Sequence, residues 1–109
     1  MGIGLMKREI ADLDSVLEHR VRLAICVLLT RYDRLSFSRL RDLTDETDGS
    51  LGANLRKLED EGLVKVEKKF VDRKPVSWYA LAPGGRKALK AHLDVLARLI
   101  SQAGKPARE

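Results

Sequence analysis

The sequence predicts a mainly helical α+β domain: a core of three helices, then a single two-stranded antiparallel hairpin, then a last helix. Three observations carry that prediction. Apolar residues recur at helical spacing in four separate runs. Strict polar and apolar alternation occurs once, between residues 64 and 81, and 109 residues is the length of one small domain.

The first helix is expected over residues 14–31, where Val16, Leu17, Val21, Ala24, Ile25, Leu28 and Leu29 keep helical spacing. Leu23, Cys26 and Val27 widen its apolar face beyond one stripe, and a helix that is apolar on two sides packs against two things, the second of them expected to be another subunit. Residues 32–35 read as a polar turn. Ser36 is a good N-cap for a short second helix whose Phe37, Leu40 and Leu43 share a face. Thr44, Asp45 and Glu46 make the corner that follows, without the glycine often found in such a corner.

The stretch 43–66, LTDETDGSLGANLRKLEDEGLVKV, is the one around which the chain is organised. Leu51, Leu55 and Leu58 fall on one side of a third helix, which leaves Ser50, Ala53, Asn54 and Lys57 on sides expected to face outward. Thr47 or Asp48 can cap its first amides, and Gly62 supplies the left-handed residue that stops it. Acid at Glu59, Asp60 and Glu61 repels phosphate, so a nucleic-acid partner would meet the N-terminal half. Val64 and Val66 then alternate with Lys65 and Glu67, and Ser77, Tyr79 and Leu81 with Val76, Trp78 and Ala80, which predicts a hairpin with its tip near residues 72–74. Pro83 opens the last helix, with Leu89, Leu93, Leu96 and Ile100 in one row. The domain is expected over residues 13–101. Residues 1–12 are an N-terminal tail or helix extension, with residues 1–4 disordered, and 102–109 a C-terminal tail.

Composition narrows the function. The formal charge is +5, and the excess is local: residues 62–90 hold Lys65, Lys68, Lys69, Arg73, Lys74, Arg86, Lys87 and Lys90 against Glu67 and Asp72 alone. A polyanion is the partner this suggests. One cysteine excludes an intramolecular disulfide, and Cys26 lies inside AICVLL, where a thiol is a small core hydrophobe. The N-terminus lacks the apolar region of a signal peptide, so a cytoplasmic protein without membrane attachment is expected. His19 and His92 stand far apart, with no thiolate pair and no close histidine spacing, so no metal site and no cofactor are expected. No catalytic triad pattern or glycine-rich phosphate loop is present, and an enzyme is not expected.

The segment FSRLRDLTDETDGSLGANLRKLEDEGLVKVEKKFVDRKPVSWYALAPGGRKAL, above all the run LRKLEDEGLV joined to a basic two-stranded ribbon, resembles the winged helix-turn-helix transcriptional regulators of the MarR and ArsR type. The likeness covers residues 13–100 and is nearest to the small one-domain group. It implies a homodimer on double-stranded operator DNA, with two recognition helices in successive major grooves of a pseudo-palindromic site. Under that reading Ser50 and Asn54 are the expected base readers, Arg56 and Lys57 reach bases or phosphates, and Ala53 can touch only a thymine methyl. Lys68, Lys69, Arg73 and Lys74 would hold phosphates at the wing. Leu13, Val16, Leu89, Leu93, Leu96 and Ile100 would form the dimer interface. Members of this group often carry polar residues where this chain has Gly52 and Ala53, and Thr where it has Ala82. The residues name no small-molecule effector. The alternative is a protein-interaction module that uses the wing and Trp78, because Trp is enriched at interfaces.

Overall fold

The computed structural model describes residues 3–106, with side chains from Met6 to Pro106. Of the expected tails, residues 1–2 and 107–109 lie outside the described residues, whereas residues 3–4, expected to be disordered, open a helix. In chain order the elements are α1 (Ile3–Asp12), α2 (Arg20–Arg31), β1 (Leu35–Ser36), α3 (Phe37–Thr44), α4 (Asp48–Asp60), β2 (Val64–Val71), β3 (Lys74–Leu81) and α5 (Pro83–Gln102). The strands form one antiparallel sheet in the order β1-β3-β2. The core gathers Leu17, Ile25, Leu29, Leu40, Leu51, Leu55 and Leu58 from the helices with Val64 and Leu81 from the sheet.

The sequence reading of the fold is corrected at four places. Residues 14–31 are not one helix, because Asp14 breaks it. Its carboxylate accepts the Val16 and Leu17 amides at 2.8 and 3.1 Å, which offers the backbone a turn in place of a helical ladder. Residues 3–12 are accordingly no extension of α2 but a separate helix, α1, fastened to α5 through Arg98. The guanidinium of Arg98 lies 2.8 Å from the Glu9 carboxylate, which is only 4% exposed, and 3.8 Å from that of Asp12. The polar turn expected at residues 32–35 ends in a third strand, where Leu35 and Ser36 pair with Tyr79 and Trp78. Finally, Leu89 is buried in the core of the protomer and so leaves the proposed interface row.

Other expectations hold. Ser36 caps α3 by accepting the Arg39 amide at 3.1 Å. The corner manages without glycine because Asp45 takes the left-handed conformation at φ 55. Thr47, rather than Asp48, caps α4 through the Ser50 amide. At the other end of α4 the Leu63 amide reaches the Leu58 carbonyl and the Gly62 amide reaches that of Glu59, both at 2.9 Å, with Gly62 at φ 74. That pair of bonds is the Schellman closure, and it turns the chain directly from α4 into β2. Helix α5 starts at Pro83 with Ala82 offering no side-chain cap. Its third residue, Gly85, is buried where any Cβ would overlap the Leu63 carbonyl, so only glycine lets α5 approach the wing base.

The protomer is long for its size. Its radius of gyration is 16.9 Å and its extents are 65 × 25 × 22 Å, whereas a compact chain of this length has a radius of about 13 Å.

A candidate nucleic-acid interface

The second helix of the corner, α4, buries Leu51, Leu55 and Leu58 and exposes Ala53, Arg56 and Lys57. Ser50 is half-buried, and its hydroxyl donates to Glu46 at 2.8 Å. Lys57 pairs with Glu61 at 3.2 Å, one turn along the exposed face. Across the corner, the guanidinium of Arg41 on α3 meets the Asp48 carboxylate at 2.9 Å, and that bond raises its pKa further above the ordinary arginine value.

Asn54 is not where the sequence reading put it. It is 8% exposed, its amide nitrogen donates to the Ser50 carbonyl at 2.9 Å, and its oxygen accepts from Arg22 at 3.3 Å. Both ends of the amide are engaged inside the protein, so Asn54 is withdrawn from the base readers. On a helical wheel it lies about 60° from Leu51 and about 40° from Leu58, at the border of the packed stripe rather than on the outer face. That border position was a signal in the sequence, and Arg22 was the unread partner.

The hairpin is longer than the alternation implied, with Val71 paired to Lys74 and only Asp72 and Arg73 in the turn. Both turn residues have positive φ, 50 and 67, the arrangement of a two-residue turn that matches strand twist. Pro75 is accommodated opposite Phe70 because it lies beyond the short span of β1, which leaves that side of β3 without a neighbour needing its N–H. One face of the ribbon carries Val64, which lies in the core, then the half-buried Val66 and the exposed Lys68 and Phe70. The other carries Lys65, Glu67, Lys69 and Val71. At the tip Phe70 is 79% exposed. Lys68, Arg73 and Lys74 have no acidic partner among the described residues, whereas Lys69 lies 3.4 Å from Glu67. The tip stands about 23 Å along the strand from Val64, far enough to meet a different part of a duplex from α4.

Trp78 lies half-buried on the outer face of the sheet, with the Arg34 guanidinium 4.4 Å above its ring centroid. Cys26 is fully buried, and burial first, then the Asp14 carboxylate, push its thiol up to about 12. The second apolar side of α2 opens, with Leu43 of α3, into a groove of about 650 Å³ lined by Leu23, Ala24, Val27 and Leu28. Among the described residues no cluster of three or more His, Cys, Asp or Glu side chains could hold a metal, and no helix is long and apolar enough to cross a membrane.

Comparison with known proteins gives this geometry a context. No curated protein sequence matches the chain. Among solved structures it is similar to a transcriptional regulator homologue from Pyrococcus horikoshii OT3, at 29% identity and a TM-score of 0.81, over 92% of this chain and 97% of that one. It shares its fold with the transcriptional regulator BldR from Sulfolobus solfataricus at 23% identity and a TM-score of 0.68, over 91% of this chain and 70% of that one. A mutant MarR from E. coli is also similar, at 14% identity and a TM-score of 0.68, over 94% of this chain and 81% of that one. The resemblance to MarR-type regulators read from the sequence is thereby supported in three dimensions, and the protein is a DNA-binding transcription regulator. Its residues 21–100, which carry the corner, the wing and most of the last helix, match the model of the winged helix DNA-binding domain, and the chain belongs to that family.

Proposed function

We propose that the protein acts as a homodimer on a pseudo-palindromic double-stranded operator, each protomer placing α4 in a major groove and its wing tip on the flanking backbone. The observation that carries this reading is the unpaired charge of Lys68, Arg73 and Lys74 at the end of a hairpin that leads straight out of α4. Ser50, Arg56 and Lys57 are the side chains on α4 able to bond base edges or phosphates, with Ala53 available to a thymine methyl. Dimerisation is supported by the elongated protomer and by Leu93 and Ile100 on α5, the latter 73% exposed, together with Met6 and Ile10 on α1. Leu96, Leu13 and Val16 are half-buried, Val16 against the core, and their exposed parts are included in the proposed contact.

Selection of bound duplexes from a randomised pool tests the reading, with sedimentation of the free protein at micromolar concentration. An enriched inverted repeat and a two-chain mass are expected. A pool left unenriched, or a one-chain mass, would overturn the operator model or the dimer respectively. Support for the protein-docking alternative is weakened by Arg34, which already covers the Trp78 ring. Binding that is insensitive to salt would restore it.

A further inference from the structure

A line of hydrogen bonds runs from α5 to the recognition helix through side chains that face away from its exposed surface. His92, 2% exposed on α5, accepts the Asp14 amide at its Nδ1, 3.0 Å away. The Asp14 carboxylate holds the Val16 and Leu17 amides, and the Val16 carbonyl accepts from Arg22 Nε at 2.9 Å. Arg22 Nη1 then reaches Asn54 Oδ1 at 3.3 Å, and Asn54 Nδ2 closes on the Ser50 carbonyl at 2.9 Å. Only one orientation of the Asn54 amide satisfies both of its partners, so the pair is directional.

The leucines of α4 cannot supply that direction. Burial of Leu51, Leu55 and Leu58 holds the helix against the core, but apolar contact tolerates small rotations because it is non-directional. A rotation of about 20° moves a side chain at the helix surface by about 2 Å. That exceeds the window of about 0.5 Å within which a hydrogen bond to a base edge stays well formed. The guanidinium fork of Arg22 fixes what the leucines leave loose, because its Nε and Nη1 are held in one plane and each has its own acceptor.

From this we infer that Arg22 and Asn54 are a positioning pair: together they set the rotation of α4 and tie it, through Val16 and Asp14, to the seat of α5. The inference rests on the proposal that α4 reads DNA. Sequence preference then depends on two side chains that touch no DNA, and a shift of α5, whose exposed face is the proposed dimer contact, is transmitted to the reading surface.

The test uses the full chain and a duplex enriched by the parent from a random pool. Asn54→Ala, Arg22→Ala and Arg22→Lys are compared with the parent and with the Arg22→Ala/Asn54→Ala double variant. Arg22→Lys keeps the charge and most of the stem but cannot serve both acceptors at once, so it guards against a variant that merely unfolds. Each single variant is expected to lose roughly tenfold or more in the ratio of selected to random affinity, about the worth of one charged hydrogen bond. The double variant should lose no more than the worse single one, since both remove the same link. Affinity for random duplex and its salt slope should stay at the parent's values, and amide exchange over residues 50–57 should quicken. Additive losses, or single variants that keep the parent's ratio, would overturn the pair. So would an Asn54→Ala variant altered at one base pair alone while Arg22→Ala is silent, because that is the mark of a direct reader. A parent that enriches no sequence would instead overturn the DNA-reading role of α4, and the pair with it.

Discussion

Replacing Arg73 and Lys74 with Ala removes two cations from the wing tip that have no acidic partner among the described residues. Each phosphate neutralised contributes about 0.9 to the slope of log affinity against log salt, so the double variant should be shallower by about 1.8 per protomer and about 3.6 for two wings on one site. Between about 50 and about 200 mM salt, the advantage of the parent over the variant should therefore shrink by about two orders of magnitude. The loss should appear on selected and random duplexes alike, because phosphates carry no sequence. Stability should be nearly unchanged: both side chains are exposed, and Ala at position 73 bears the same left-handed backbone as Arg. Glu67→Gln supplies the opposite sign, since it frees Lys69 from its 3.4 Å partner and should steepen the slope. The measurement is a titration by fluorescence anisotropy across a salt series. A double variant with the parent's slope would refute the wing as a phosphate clamp, whatever its absolute affinity.

Four further outcomes follow from the packing. Gly52→Ala should stabilise the fold by about 0.5–1 kcal/mol in chemical denaturation, since nothing lies within 4 Å of the added Cβ and Ala is the better helix former. Gly85→Ala should do the reverse, by about 2 kcal/mol or more, because its methyl meets the Leu63 carbonyl, a backbone atom that cannot move without unseating α5 or the wing base. Arg73→Gly should raise stability by about 1 kcal/mol through relief of its φ of 67, yet weaken DNA binding as the alanine does. The Cys26 thiol, pushed up to about 12, should react with a disulfide reagent at pH 8 on the order of a thousandfold more slowly in the folded protein than in denaturant. Equal rates would mean that the site opens far more readily than its burial allows.

Most of the fold was legible because the chain obeys local rules wherever it packs. The cap at Ser36, the stop at Gly62, the Pro83 start and the alternation of the hairpin each name one physical choice, and the structure makes it; at α4 it selects Thr47 from the two caps the sequence offered. The misreadings come from side-chain hydrogen bonds, local and long-range, and from the division of apolar rows between neighbours, none of which periodicity encodes. Residues 14–31 look helical throughout until Asp14 turns its carboxylate onto its own neighbours and His92, from the far end of the chain, takes its amide. Asn54 looks outward until Arg22 supplies a partner from another helix. Leu89 and Leu93 sit in one sequence row, yet α5 has two neighbours to satisfy, the core and whatever meets its outer face, and the row divides between them. The exposure of Arg56, Lys57 and the wing cations was legible in the sequence, whereas the burial of Asn54 against Arg22 was not.

Besides the Asp45 corner and the uncapped start of α5, the places where this chain breaks local rules lie on α4 and the wing. Asp72 and Arg73 both adopt positive φ where Asn-Gly would be the relaxed choice, a cost of about 1–2 kcal/mol per residue. Gly52 sits inside a helix with open space where a side chain could go, and Phe70 stands bare at the wing tip. None of these choices serves the core, which is filled by leucines and leaves no buried side-chain polar atom unsatisfied among the described residues. A folding requirement would have removed them, because each has a common substitute that stabilises the isolated protomer. The duplex contact proposed above, with a cation held at the tip of the wing, gives each of them a reason.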